Sequence, residues 1–167
     1  ADCFEGEFHE PGESKLYKSE VHLNLQPAAI NETKLSVVND DCLVVGKQMQ
    51  DEGLNPAVLN MASAYRPGGG VLNGARAQEE CIFRRSNLFM SLYLYDIQMY
   101  DLVIEPNKDD MYDLNFIQQG YPMDENFGGI YSADVTVFKD GNYEWLYNPY
   151  QTAFISVAAM NINRALR

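Results

Sequence analysis

The run "NPAVLNMASAYRPGGGVLNGARAQEE", Asn55 to Glu80, constrains the fold more than any other part of the chain. Pro56 to Ala62 is almost continuously apolar, with no clean alternation, which predicts a strand buried on both faces. Three consecutive glycines, Gly68 to Gly70, are entropically costly in any regular element, so the chain must turn there. "AQEECIFRRSNLFMSLY" then places Cys81, Ile82, Phe89 and Leu92 near helical spacing, predicting a helix from about Ala77. Strand, glycine turn and helix in that order form a generic phosphate- or ribose-cradling unit, in which backbone N–H groups and a helix N-terminus meet the ligand. Neither G-x-G-x-x-G nor Gly-Lys-Ser/Thr occurs, so the unit is neither a dinucleotide fingerprint nor a P-loop.

Around this unit the pattern reads as α/β. Residues 1–30 are polar, carry Pro11 and Pro27, and form an N-terminal extension with one strand in "SEVHLNL". "KLSVVN", Lys34 to Asn39, is a short β-rich run. "DDCLVVGKQMQDEG" predicts a helix with Cys42, Val45 and Met49 on one face, Asp40 at the N-cap and Gly53 at the C-cap. Residues 96–128 are an irregular loop region, and loops of that length are often functional. "GIYSADVTVFKDG" is a strand closed by an Asp-Gly turn, and "TAFISVAAM" is a further buried strand, whereas Trp145 and a loop around "NPYQ" read as packing. The order predicts a mixed sheet.

Composition narrows the function. The formal charge of −12 argues against a broad phosphate-neutralising surface, so no direct nucleic-acid interface is expected and attraction to an anionic ligand must be local. The longest apolar runs, such as "FISVAAM", are too short to span a bilayer as a helix. Cys3, Cys42 and Cys81 are odd in number and contain no CxxC, and His9 and His22 have no partner at ligand spacing, so neither a disulfide framework nor a metal or cofactor is implied. The opening "ADCFEGEFHE" shows no signal segment, which says little about compartment; localisation is left open, with cysteine usage favouring a reducing, intracellular setting, cytoplasmic or nuclear.

Glu79 and Glu80 add chemistry to the glycine turn. Acidic residues at a helix start favour its dipole, which is a sufficient structural reason for them. A second reading follows from geometry. Successive helical side chains point about 100° apart, so one carboxylate can meet a substrate while its neighbour holds the loop. A carboxyl beside a like charge and partly buried gains proton affinity, as a general acid in glycoside cleavage requires. Glu80 and Arg84 stand at i,i+4, which reads as a helix ion pair, with a phosphate contact as the other reading. Asn73-Gly74 is a turn dipeptide whose backbone could touch a ligand. Asn60 reads equally as a satisfied buried amide or as support for a ribose pocket.

"GGG", seven residues and "QEE" together resemble the signature of poly(ADP-ribose) glycohydrolases. "LSVVNDDCL", "FRRSNLF", "YP…GGIYSADVTVF" and "ISVAAMN" resemble the microbial-type members more closely, over about Lys34 to Asn161. The resemblance implies a macrodomain-like three-layer fold, a mixed sheet between helices, with ADP-ribose at the strand ends. It implies Glu80 as the catalytic acid, Glu79 on the ribose hydroxyls and Gln78 as support for the loop. Gly68, Gly69 and Gly70, with Val71 and Asn73 after them, would wrap the terminal ribose and a phosphate, and Asp40 would meet the adenine amino group. The implied activity is hydrolysis of the ribose–ribose bond of poly(ADP-ribose), with ADP-ribosylated proteins as further partners. The alternatives are a non-catalytic ADP-ribose reader, or a hydrolase removing ADP-ribose from protein or nucleic acid. In the family a second glycine-rich loop follows "ISVAAMN"; here the sequence ends at "INRALR". The expected organisation is therefore an extension over 1–30 and a macrodomain-like catalytic domain over 31–167 that lacks its C-terminal part.

Overall fold

The computed structural model describes residues 11–20, 33–96, 119–124 and 126–159. Four strands form a mixed sheet in the order β1-β3-β4-β2: β1 (Ser14–Tyr17), β2 (Ala57–Ala62), β3 (Gly129–Lys139) and β4 (Trp145–Ala158). β3 pairs antiparallel with both β1 and β4, and β2 pairs parallel with β4, Asn60 facing Ser156 in the register. The helices are α1 (Cys42–Asp51), α2 (Gln78–Arg85) and α3 (Leu88–Tyr93).

One face of the sheet carries the core. Val58, Ala62, Ile130 and Phe154 alternate inward along their strands and pack with Leu43, Ile82, Phe83, Leu88 and Leu92 from the helices. α1 lies close because Gly46 faces Val58: a Cβ on Gly46 would stand 3.3 Å from a Val58 methyl. The buried positions of α1 are therefore Leu43 and Gly46, one step round from the expected stripe of Cys42, Val45 and Met49. Its N-cap is Asp41 rather than Asp40: the Asp41 carboxylate accepts from the N–H groups of Leu43 and Val44 at 2.9 and 3.3 Å. Gly53, at φ +84°, follows the helix end in the left-handed conformation expected there.

Three expectations change. β2 is not covered on both sides among the described residues. It alternates strictly, with Leu59 and Met61 half exposed, and Ile155 on β4 continues that open apolar face. The β-rich run Lys34–Asn39 is not a strand; no described strand pairs with it, and Leu35 is 93% exposed. The segment around "NPYQ" is not a loop but part of β4, which bulges against β3 between the Val137 and Lys139 pairings. The strand expected in "SEVHLNL" falls mainly outside the described residues. β1 lies just before it, at "SKLY", inside the stretch read as an extension.

The predicted second helix divides in two at Ser86-Asn87. Ser86 turns extended and bridges Val137, its hydroxyl bonding back to the Ile82 carbonyl at 2.9 Å. Asn87 exchanges hydrogen bonds with Thr136, N–H to carbonyl at 3.1 Å and Thr136 N–H to Oδ1 at 2.8 Å. Two side chains suited to bonding the backbone thus interrupt the helix and fasten it to β3.

Candidate acid site

β2 ends at Ala62 and the chain turns back through Ser63–Gly70 onto the start of α2. Each of the three glycines there answers a different neighbour. At Gly68, φ +71°, a Cβ would stand 2.5 Å from the Phe83 ring. At Gly69, φ +51°, it would stand 2.7 Å from Glu80 Oε1 and 3.2 Å from Glu79 Oε2. At Gly70 it would meet the Ala75 methyl at 2.8 Å. The glycines therefore let the backbone close directly over two carboxylates.

Those carboxylates receive the loop's N–H groups. Glu79, 3% exposed, accepts from Ser63 N at 2.8 Å through Oε2 and from Gly68 N at 3.0 Å through Oε1. Glu80, 7% exposed, accepts from Gly70 N at 2.9 Å through Oε1. Glu80 Oε2 is buried with no hydrogen-bond partner among the described residues. The pair is thus divided: Glu79 is held at both oxygens and fixes the loop, while Glu80 is held at one oxygen and presents the other. Burial, and secondarily the Glu80 charge, push the Glu79 pKa up to about 7 against the opposing N–H bonds. A buried carboxylate oxygen with no partner is costly unless something else fills the position.

The rest of the loop turns its donors inward. N–H groups of Gly69, Val71, Asn73, Gly74 and Ala75 bond to carbonyls of Arg66, Gly68, Gly70, Val71 and Gly70 respectively. Val71–Asn73 is a short 3₁₀ turn ended by Gly74 at φ +79°; Val71 is half buried and Asn73 exposed. Gln78 secures the helix start to the sheet. Its Oε1 accepts from Met61 N and its Nε2 donates to Leu59 O, both at 2.9 Å. These are the bonds that one residue of a parallel neighbour would make to the free edge of β2. Asn60 is fully buried; Nδ2 donates to Ser156 Oγ at 3.0 Å, the side chain acts to lower the Glu79 pKa, and Oδ1 has no partner among the described residues. Asp40 is not brought into this cluster. It is exposed, and its carboxylate accepts from Asp41 N at 2.7 Å.

Three features were not read from the sequence. Tyr121 is buried with its hydroxyl unpartnered among the described residues, and burial together with the charges of Glu79 and Asp96 raises its pKa. Its only sequence signal was a Tyr-Pro dipeptide in an irregular region. Arg84 does not pair with Glu80; its Nη2 donates to Val71 O at 3.2 Å and Ala75 O at 2.6 Å. Arg85, 4% exposed, pairs with Asp41 Oδ2 at 2.7 Å and donates to Lys139 O at 3.3 Å, joining the start of α1 to the end of α2. A hollow of ≈ 460 Å³ on the open sheet face, lined by Tyr17, Phe127, Tyr131, Ile155 and Val157 among others, is bordered by neither Glu79 nor Glu80.

A mixed α/β sheet that presents a buried carboxylate pair at its strand ends, one oxygen without a partner among the described residues, defines a site of acid–base type. The family model for the microbial-type PARG catalytic domain matches residues 9–140, and the chain belongs to that family. Among solved structures it is similar to poly(ADP-ribose) glycohydrolase from Thermomonospora curvata bound to the inhibitor ADP-HPD. Identity is 33% and the TM-score 0.56, over 78% of this chain and 43% of that one. It is likewise similar to poly(ADP-ribose) glycohydrolase from Deinococcus radiodurans in complex with ADP-ribose, at 28% identity and a TM-score of 0.56, over 78% of this chain and 47% of that one. The chain thus spans less than half the length of these relatives. No curated protein matches it.

Proposed function

We propose that this chain carries the acid wall of a glycohydrolase that cleaves the ribose–ribose O-glycosidic bond of poly(ADP-ribose) and releases ADP-ribose. The observation that carries the reading is the buried Oε2 of Glu80, without a partner among the described residues, on a carboxylate held by Gly70 N through its other oxygen. A protein that only reads ADP-ribose has no need of such a group. Protonated Glu80 gives its proton to the leaving 2′-oxygen as the anomeric C–O bond breaks. The resulting oxocarbenium-like ribose is captured by water, whose proton returns to the Glu80 carboxylate. Glu79 and Glu80 both lie against Gly69, and the raised proton affinity of Glu79 keeps a proton in the site toward neutral pH.

Gly68 to Gly70, Val71 and Asn73 form the wall against the terminal ribose and its phosphate in this reading. Glu79 offers its remaining lone pairs to the ribose hydroxyls, Asn60 and Gln78 back the pair, and Asp40 meets the adenine amino group. Similarity to structures holding ADP-ribose and ADP-HPD supports the ligand class. The test is incubation of the full-length protein with poly(ADP-ribose), following free ADP-ribose. Release supports the proposal. Binding without release replaces it with the reader, and release only from mono-ADP-ribosylated protein or nucleic acid replaces the substrate.

A further inference from the structure

We infer that Arg84 is a positioning residue, which shapes the ligand loop from behind and acts on Glu80 through Gly70. The arch Val71–Ala75 has little packing of its own: Leu72, Asn73 and Gly74 are exposed, and only Val71 reaches the core. Its internal bonds converge on Gly70, whose carbonyl accepts from Asn73 N at 2.9 Å and Ala75 N at 3.1 Å. Arg84 reaches up from the last turn of α2 and donates through Nη2 to the carbonyls at the two ends of the arch, Val71 and Ala75. Such charge-assisted bonds are stronger than the neutral ones inside the arch. Tyr143, in the β3–β4 turn, stands beside the guanidinium: its hydroxyl donates to Cys81 Sγ at 3.2 Å, one turn of α2 before Arg84, and the Arg84 charge acts on it. Tyr143 is held at φ +67°, a conformation a tyrosine adopts only when its surroundings fix it.

The consequence runs along one path. Gly70 N holds Glu80 Oε1, and Gly70 O anchors the arch, so an arch that loosens at Val71 and Ala75 loosens the residue that aims the acid. The ligand part of this inference rests on the function proposed above; the loop part does not.

The test uses the full-length protein, wild type against Arg84→Met and Arg84→Lys, with two readouts. In amide hydrogen exchange without ligand, Asn73, Gly74 and Ala75 should exchange about tenfold faster or more in Arg84→Met, with Arg84→Lys between, while β3 and β4 amides stay unchanged. Unchanged exchange at Asn73 to Ala75 overturns the inference. In ADP-ribose release, kcat should fall about tenfold in Arg84→Met, because a loosened Gly70 mis-aims the acid, with a smaller rise in KM for poly(ADP-ribose), and Arg84→Lys should restore most of both. Kinetics equal to wild type per folded molecule overturn the link to Glu80. A wild type that neither binds nor cleaves the polymer removes the proposed function, while the exchange experiment still decides what Arg84 does.

Discussion

Replacing Glu79 by Gln should change how stability depends on pH, and the direction follows from its surroundings. Burial holds the folded-state pKa at about 7, against an ordinary 4.5. A carboxyl whose pKa is raised by folding contributes stability that is complete below the unfolded value and is lost as pH rises through the folded value. The shift corresponds to roughly 3 kcal/mol in all, most of it lost between about pH 5 and pH 8. Glu79→Gln removes that dependence and adds a fixed penalty. Two N–H donors, from Ser63 and Gly68, face the two carboxylate oxygens, and an amide can accept only one of them. A donor facing a donor costs about 1–3 kcal/mol. Urea denaturation of the full-length wild type and Glu79→Gln should therefore show the wild type clearly more stable near pH 5. The difference should shrink by about 2–3 kcal/mol, to near zero or reversed, near pH 8. A difference that stays constant across that range would refute both the burial argument and the raised proton affinity.

Two further outcomes follow from the same contacts. Gly69→Ala forces a Cβ to 2.7 Å from Glu80 Oε1 at φ +51°; it should destabilise by roughly 2–4 kcal/mol in chemical denaturation and abolish ADP-ribose release. Asp41→Ala should cost about 3–5 kcal/mol, and Arg85→Met markedly less, because the first leaves a guanidinium buried without its carboxylate and uncaps α1, whereas the second leaves a half-exposed carboxylate that water can reach. Burial acts to raise the Asp41 pKa, but the Arg85 bond and charge and the N–H groups of Leu43 and Val44 outweigh it and hold it below the usual range. Equal losses from the two substitutions, measured by urea denaturation, would contradict this ordering.

Much of the fold was legible because its signals are local. The apolar run at Ala57–Ala62, the glycines, the helix start beside Ala77 and the Asp140-Gly141 turn between β3 and β4 each specify their own backbone. What escaped depends on partners distant in sequence. "KLSVVN" has strand composition but no described strand beside it, whereas "SKLY" is a strand because Ser14–Tyr17 meets Gly129–Ser132. The break at Ser86-Asn87 is set by Val137 and Thr136 on β3, which helical periodicity does not report. The open apolar face along Leu59, Met61 and Ile155 is likewise invisible in a run of uniformly apolar residues.

In the candidate site, the motif marked the residues and the structure shows how each is held. Two adjacent glutamates could be read as acid and clamp, but only the hydrogen bonds show that Glu79 is held at both oxygens and Glu80 at one. The glycines read as room for a ligand, and they are first the condition for closing backbone over the protein's own carboxylates. Arg84 at i,i+4 read as an ion pair because spacing on a helix is visible, whereas the carbonyls of Val71 and Ala75 that it holds are not.

The most direct test of the acid assignment compares ADP-ribose release from poly(ADP-ribose) by the full-length wild type and by Glu80→Gln, with ADP-ribose affinity measured for both. Glu80→Gln keeps the Gly70 N–H bond and removes the proton donor, so release should fall by about 10²–10⁴-fold while affinity stays within a few-fold. Release by Glu80→Gln at the wild-type rate would contradict the account.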